Sequence, residues 1–250
     1  MSVEHCLTCF EALAAHLESR KPLSLEAITT SYSNYLSSTS KTPQDPNVSR
    51  LAADSTNSSS ASSSSTHLST APTSASSSAT DLKSAPLFVT WNTIDDEASH
   101  EVSLRGCIGT FESQPLTEGI PEYALISALH DTRFPAISAR ELPTLEAAVT
   151  LLTNFEDADD EYDWVVGVHG IRLSFHDKGR RYSGTYLPDV ASEQGWTKDE
   201  ALYSLVRKAG WMGGKGRWKD LDLKLTRYQG RKAEASYGDY KKWRDWADAQ

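Results

Sequence analysis

Apolar residues recur at three- and four-residue steps at the start of the chain. Over residues 3–18 they form one stripe, which predicts an amphipathic helix that has Ser2 as its N-cap and ends before Pro22. A second stripe with the same period predicts another helix over residues 24–36. The chain therefore begins with two helices that each offer an apolar face to a core.

Further along the chain, short apolar runs and alternating positions are typical of β-strands. The predicted strands cover residues 87–91, 101–111, 146–153, 182–187 and 221–225. Residues 164–167 and 171–175 favour a hairpin around His169 and Gly170. Most of these runs are separated by short connections, which is the spacing of antiparallel strands.

Three more helices are predicted among these strands. One covers residues 116–129. A second begins at a capping box formed by Thr197 and Glu200 and ends before Gly210, and a third begins at Ser236. Because helices and strands are mixed without a regular strand–helix–strand period, we expect an α+β fold, a mainly antiparallel sheet flanked by helices.

A Ser-rich stretch interrupts this pattern. Between residues 55 and 80, 18 of 26 residues are Ser or Thr. Such a composition offers too little apolar surface to offset the entropy cost of ordering the chain. We therefore predict a disordered insertion over residues 37–83 that folding does not require, between a folded part at 1–36 and its continuation at 84–250.

The charge is negative overall and unevenly distributed. The net charge is −9, which is not typical of a nucleic-acid-binding chain. Residues 141–163 carry eight acidic and no basic residues, which favours a solvated acidic loop, whereas residues 198–250 carry 13 Lys or Arg against 8 Asp or Glu. The basic segment could contact an acidic partner, or its Lys and Arg side chains could simply be exposed to solvent.

The cysteines and the hydropathy exclude several classes of protein. Cys6, Cys9 and Cys107 are few and odd in number, which does not suggest a disulfide scaffold, and Cys6 and Cys9 have no second ligand pair that would complete a zinc site. Residues 210–216 are rich in glycine but do not fit the phosphate-loop pattern. No 18-residue apolar run is present. We expect no metal, no cofactor and no membrane partner, and a cytoplasmic or nuclear location.

Residues 104–109, Leu-Arg-Gly-Cys-Ile-Gly, are the strongest candidate for a site. In a regular strand Arg105 and Cys107 share one face, where they would line a groove that accepts a carboxylate or phosphate. Gly106 and Gly109 lack Cβ atoms, so a ligand or another segment could approach the backbone closely. A packed cysteine in a glycine-rich bend is the alternative.

Two residues outside that segment are candidates for the rim of the groove. His169 lies in a Gly-Val-His-Gly turn and would serve as a base for Cys107, although turn histidines usually bond to the backbone. Glu193 lies close to Trp196, and a carboxylate beside an indole suits a ligand pocket as well as a packed loop. Both roles remain open at this point.

The sequence resembles the AMMECR family over residues 3 to about 244, apart from the Ser-rich stretch. The hallmark is Leu-Arg-Gly-Cys-Ile-Gly-Thr-Phe at 104–111. Further matching segments lie at 86–91, 127–129, 133–135, 151–157, 163–164, 167–171, 186–188, 193–196 and 224–228. The eukaryotic branch is the most similar. The resemblance implies an α+β fold in two unequal subdomains.

The resemblance implies no established activity. Members of the family are associated with transcription, with RNA or DNA handling or with protein regulation, and prokaryotic members occur beside radical-SAM and Memo-type proteins, which suggests a tailoring or redox pathway. Three hypotheses follow. The favoured one is a regulatory or adaptor protein that binds a peptide or a small anionic ligand through Arg105, Gly106, Gly109 and Glu193. The others are an enzyme with Cys107 as nucleophile or redox thiol, and a nucleic-acid-associated regulator.

Overall fold

The computed structural model describes residues 2–39, 83–96 and 101–250. Residues 40–82, which make up nearly all of the predicted disordered insertion, lie outside the described residues. The second helix continues to Thr39, three residues past its predicted end. Residue 83 precedes the first strand directly. Residues 37–39 and 83 of the predicted insertion are thus among the described residues.

The helices form where the sequence predicted them, except for the short helix at Pro188–Glu193, which was not predicted. They are α1 (Val3–Leu17), α2 (Leu25–Thr39), α3 (Leu116–Leu129), α4 (Pro188–Glu193), α5 (Lys198–Lys208) and α6 (Tyr237–Asp248). At the start of α5, the Thr197 hydroxyl accepts a hydrogen bond from the Glu200 N–H, and Ser236 caps α6 in the same way. Gly210, at φ +91°, follows the end of α5 in the left-handed conformation that favours glycine.

The strands of the described residues form one six-stranded sheet. They are β1 (Ser84–Asp96), β2 (Glu101–Pro115), β3 (Leu145–Asp157), β4 (His169–Asp177), β5 (Arg180–Tyr186) and β6 (Lys224–Ser236). Their order is β2-β1-β3-β6-β4-β5, and each neighbouring pair is antiparallel. The predicted α+β class with a mainly antiparallel sheet is confirmed.

The buried apolar side chains of the described residues form two hydrophobic cores of unequal size against this sheet. The larger core joins β1 and β3 to α1, α3 and α6, with Trp91 and Trp243 fully buried. The smaller core joins β4 to α5 and includes Trp211 and Trp218. Strand β6 belongs to both, because Leu225 lies in the smaller core and Ala235 in the larger one. The two ends of one strand thus tie the two halves together.

The predicted hairpin around His169 is wrong. Residues 166–168 form a turn, and His169 begins β4, which pairs with β5. The hairpin turn is Lys178–Gly179, where both residues have positive φ (50° and 76°), as a two-residue turn between twisted strands requires. Sequence reasoning missed it because lysine is an unusual residue in the first of these positions.

The predicted strand at 221–225 is also largely wrong. A 3₁₀ helix covers Lys215–Asp220, and Leu221 and Leu223 pack against the smaller core from the segment before the strand. The strand itself is β6, which begins at Lys224. The alternating leucines therefore mark a connection that fills a core, and the long strand that follows is mostly polar in sequence.

Candidate functional site

The Leu-Arg-Gly-Cys-Ile-Gly segment lies in β2, the edge strand of the sheet. A β-bulge occurs within it: Trp91 is opposite Gly106 and Asn92 is opposite Leu104, so Arg105 is the extra residue. Regular alternation is therefore interrupted between Arg105 and Cys107. The prediction that Arg105 and Cys107 share one face assumed a regular strand. The bulge at Arg105 shows that this assumption is wrong.

Arg105 is held by the loop that follows α3. Its side chain is 14% exposed, and its Nε donates to Glu141 Oε1 at 2.9 Å. The guanidinium carbon lies 5.9 Å from the centre of the Phe134 ring. Its Nη1 is buried and has no hydrogen-bond partner among the described residues. Arg105 is thus positioned by one carboxylate while one of its donor groups remains available.

Glu141 is positioned to keep its charge beside Arg105. Burial alone would raise the pKa of its carboxyl, but hydrogen bonds from the Ser138 N–H and hydroxyl and from Arg105 hold that pKa below its usual value. The carboxylate is therefore ionised near neutral pH, and it fixes the direction of the guanidinium.

Cys107 lies on the other side of the bulge and has different neighbours. Its side chain is partly buried, and its Sγ accepts a hydrogen bond from the Thr90 hydroxyl at 3.1 Å. Its backbone N–H donates to Asp131 Oδ2 at 2.9 Å, and its carbonyl accepts from Arg133 Nη2 at 3.1 Å. Both main-chain groups that face outward from the edge strand at Cys107 are thus paired with side chains.

Asp131 and Arg133 form what we call the edge clamp. Arg133 Nε and Nη2 donate to the two Asp131 carboxylate oxygens at 2.9 and 2.6 Å. The hydrogen bond from Arg133 holds the pKa of Asp131 well below its usual value, even though burial opposes this, and the same pairing raises the pKa of Arg133. The edge clamp occupies the place of a neighbouring strand and protects the edge from pairing with another chain.

The two glycines of the segment are explained by contacts within the chain. A Cβ on Gly106 would lie 2.3 Å from the carbonyl oxygen of Ser127 in α3, and one on Gly109 would lie 2.3 Å from the ring of Phe88. Glycine lets both neighbours approach the strand closely. The predicted close approach exists, and it is made by this chain's own helix and ring.

Cys107 shares its face of the sheet with Thr90, Phe88 and Gly109, since Thr90 is opposite Cys107 and Phe88 is opposite Gly109. A row of aromatic rings begins there. The rings in contact are Phe88 with Phe111 at 5.3 Å, Phe111 with Tyr228 at 5.9 Å, and Tyr228 with Phe155 at 5.0 Å. This row joins the Cys107 region to the second half of the sheet.

Tyr228 anchors that row to β5. Its hydroxyl donates to the carbonyl of Tyr186 at 2.8 Å and lies 2.9 Å from the Thr185 hydroxyl. Burial raises the pKa of Tyr228 to about 12, so the phenol stays protonated. The aromatic surface beside Cys107 is therefore rigid and neutral.

His169 and Glu193 lie in neighbouring segments of the second half of the sheet. His169 Nδ1 accepts a hydrogen bond from the Val165 N–H at 3.0 Å, which is the backbone role expected of a turn histidine. Glu193 ends α4 and is exposed, and the turn at Gly167 approaches Ser192 beside it. Among the contacts of the described residues, none joins His169 or Glu193 to Arg105 or Cys107.

Several residues of this site were missed by sequence reasoning. They are Asp131 and Glu141, while Thr90, Arg133 and Phe134 appeared only inside segments that resemble the family. The one local signal was an Asp two residues before an Arg at the end of a predicted helix, a spacing that permits a paired turn. The partnership of either residue with β2 is a tertiary contact.

The structure also bears on metal ligands, on the two cysteines of α1 and on membrane-spanning helices. In residues 2–39, 83–96 and 101–250, no group of three or more His, Cys, Asp or Glu residues could hold a metal ion. Cys6 and Cys9 are free, buried thiols on α1, and burial raises the pKa of Cys6 to about 12. No helix in the described part of the chain is long and apolar enough to span a membrane.

Five of the 13 basic residues at 198–250 form ion pairs with carboxylates. The ion pairs are Lys219 with Asp199, Arg227 with Glu156 and Asp163, Lys232 with Glu234, Lys241 with Asp245, and Arg244 with Asp248. Paired cations contribute less to the attraction of a polyanion than free ones. Part of the positive charge of this segment is thus neutralised within the chain.

Comparison with known proteins adds the family context. The AMMECR1 family model matches residues 6–233. An uncharacterised protein of Arabidopsis thaliana is 48% identical over 62% of this chain and 72% of its own length, and one of Schizosaccharomyces pombe is 43% identical over 56% and 72%. The crystal structure of an uncharacterised protein from Pyrococcus horikoshii is similar at a TM-score of 0.50, with 30% identity, and covers 61% of this chain and 74% of that one.

Proposed function

The chain belongs to the AMMECR1 family, and we propose that it is a regulatory or adaptor protein that binds a small anionic ligand, or a peptide with an anionic group, beside Arg105 and Cys107. The observation that supports this most is the buried Nη1 of Arg105, which has no hydrogen-bond partner among the described residues. A buried donor without a partner costs about 1–3 kcal/mol, and an anion would remove that cost. The spaces beside Gly106 and Gly109 are filled by Ser127 and Phe88, and no contact of the described residues joins Glu193 to Arg105, so the proposal depends on Arg105.

Binding without turnover is favoured over catalysis by the neighbours of Cys107. Its sulfur receives a hydrogen bond from a threonine hydroxyl, and its backbone is fixed by the edge clamp. His169, the predicted base, has its Nδ1 engaged by a backbone N–H. A thiol without an adjacent base lacks the usual activation of a cysteine nucleophile.

The test uses variants that separate binding from stability. The wild type, Arg105→Ala and Cys107→Ser are screened by thermal shift against carboxylate and phosphate metabolites and against peptides with a free C-terminal carboxylate, with Arg140→Ala as the matched control in the same loop. We expect compounds that raise the melting temperature of the wild type and of Arg140→Ala but have no effect on Arg105→Ala. Equal responses in all variants, or a parallel loss of stability and binding in Arg105→Ala, would contradict the proposal.

A second candidate function is thiol chemistry at Cys107, as nucleophile or as redox thiol. It is favoured by the partial exposure of Cys107, whereas Cys6 and Cys9 are buried. Native protein should then react with one equivalent of Ellman's reagent per chain, faster near neutral pH than the denatured protein does. Thr90→Val, which removes the hydroxyl that bonds to the sulfur, should slow the reaction. A rate at or below that of the denatured chain would leave binding as the function.

Nucleic-acid association is the third candidate, and no observation in the described residues favours it. The net charge is −9, and five cations of the basic segment are already paired with carboxylates. A regulator of this kind would depend on a different surface.

A further inference from the structure

A cavity of about 620 Å³ lies on the second half of the sheet and shares no residue with the Arg105 and Cys107 site. Its floor is the face of β4, β5 and β6 that points away from the smaller core. Ile171, Leu173 and Phe175 of β4 point into that core. By alternation Arg172 and Ser174 point into the cavity.

Three cations surround two hydroxyl groups on this floor. Ser174 of β4 is opposite Ser183 of β5 and Lys224 of β6, so these three lie in one row across the strands. Arg172 and Arg181 lie in the rows on either side, and long side chains at such diagonal positions reach a common centre. We call Arg172, Arg181 and Lys224 the basic face.

The three cations of the basic face line the same cavity and, in the described part of the chain, have no counterion there. No carboxylate oxygen of the described residues lies within 4.0 Å of Arg172, Arg181 or Lys224. Like charges placed together without partners repel, and a bound anion relieves that repulsion. Ser174 adds a hydroxyl that can donate to the same anion.

An acidic rim limits what this cavity can accept. Asp157, Asp159 and Asp160 line its edge at the end of β3, and Asp157 accepts a hydrogen bond from the Thr226 hydroxyl at 3.1 Å. A compact anion centred on the serines would sit among the cations. A strand of nucleic acid would extend across the carboxylates and be repelled by them. The volume is within the range of small-molecule sites.

We propose that this cavity is a second binding site, for a small ligand that carries one phosphate group, held by Arg172, Arg181 and Lys224 over Ser174 and Ser183. The acidic rim supplies selectivity against polyanions and offers acceptors to hydroxyl or amino groups of the ligand. The site is independent of the function proposed above. Arg105→Ala should therefore leave it unchanged.

The test is an NMR titration of the full chain in phosphate-free, low-salt buffer. The probes are inorganic phosphate and glycerol 3-phosphate, with glycerol as the uncharged control and a single-stranded 20-mer as the polyanion. We expect saturable shifts of the Arg172 and Arg181 signals with both phosphate probes and none with glycerol. Substitution of Arg172, Arg181 or Lys224 by Ala should weaken binding about tenfold or more, because each removes a charge-assisted hydrogen bond.

Matched variants sharpen that test. Arg180→Ala removes the same charge one residue away on the opposite face, where Arg180 stacks on Tyr182 at 5.0 Å, and should bind like the wild type. The double variant Asp159→Asn, Asp160→Asn should bind both phosphate probes more tightly and allow the 20-mer to bind. Absence of saturable binding, equal binding in all Arg and Lys variants, or tighter binding of the 20-mer than of glycerol 3-phosphate to the wild type would each overturn the proposal.

Discussion

The edge clamp and the basic face both contain arginines, but the arginine of the edge clamp is paired with a carboxylate and, in the described part of the chain, those of the basic face are not. At the edge clamp, Arg133 is paired with a buried carboxylate, and both residues bond to the main chain of Cys107. On the basic face, Arg172 and Arg181 lie within one cavity with no carboxylate of the described residues close enough to pair. Paired charges stabilise the fold, whereas clustered unpaired charges create a potential that a ligand can use.

Whether an arginine is paired with a carboxylate therefore distinguishes a structural role from a binding role better than its residue type does. Arg105 is intermediate, since its Nε is paired with Glu141 and its Nη1 is not paired among the described residues. It is therefore the one arginine of the Cys107 region for which a binding role has structural support. The contrast predicts that variants at the edge clamp lose stability and variants on the basic face do not.

The largest effect is expected for Asp131→Ala. The change leaves the Cys107 N–H and the Arg133 guanidinium without their acceptor beside a buried position, which should lower the free energy of unfolding by about 2–4 kcal/mol. Urea denaturation measures it, with the exposed Asp222→Ala as the control. A loss below about 1 kcal/mol would show that the edge clamp is not structural.

The next effect concerns the close contact between β2 and α3. Gly106→Ala places a Cβ 2.3 Å from a backbone oxygen of Ser127, so strand and helix must separate, at an expected cost of about 1–3 kcal/mol. Gly214→Ala is the control, because its Cβ would meet nothing within 4 Å and its φ is −65°. Equal stability of the two variants would mean that α3 adapts to the added methyl group.

Much of the fold could be predicted because its signals are local. The stripe of α1, the capping residues of α5 and α6 and the apolar run of β1 each lie within one segment, and the α+β class follows from their order. Strand β6 was missed because its sequence is mostly polar. It lies between β3 and β4, and its role depends on both neighbours.

The candidate site was predicted only in part, because many of its contacts join residues that are far apart in the sequence. Residue types marked Arg105, Cys107 and the two glycines, but the partners of Cys107 come from 17 to 26 residues away along the chain. The basic face could not be predicted at all. Its cations lie on three strands, and only the register of β4 with β5 and β6 brings them together.

The third prediction uses pH to isolate the edge clamp. The pKa of Asp131 is lowered from its usual 3.8 in the folded chain, so its contribution to stability is present above that value and is lost as pH falls through the folded pKa. The free energy of unfolding should therefore fall below about pH 4. Asp131→Asn, which does not titrate, should show a shallower fall than the wild type.

Other carboxyls contribute to the same acid loss, so the comparison must be between variants. Hydrogen bonds from Arg20, the Leu23 N–H and Tyr240 outweigh burial and lower the pKa of the buried Glu11 as well. The difference between the pH profiles of the free energy of unfolding of the wild type and of Asp131→Asn gives the contribution of the edge clamp. Parallel profiles would contradict the assigned pairing.

The smallest effect on stability is expected on the basic face, where removal of a cation should raise stability slightly at low salt instead of lowering it. Arg172→Ala and Arg181→Ala remove exposed cations that have no carboxylate partner among the described residues, so the free energy of unfolding should change by less than about 0.5 kcal/mol. At low salt the change should be toward higher stability, because repulsion among the three cations falls, and about 0.1 M salt should diminish it. Arg180→Ala, which loses a ring contact, should instead destabilise slightly. A loss above 1 kcal/mol in either basic-face variant would place these arginines with the edge clamp, as structural groups.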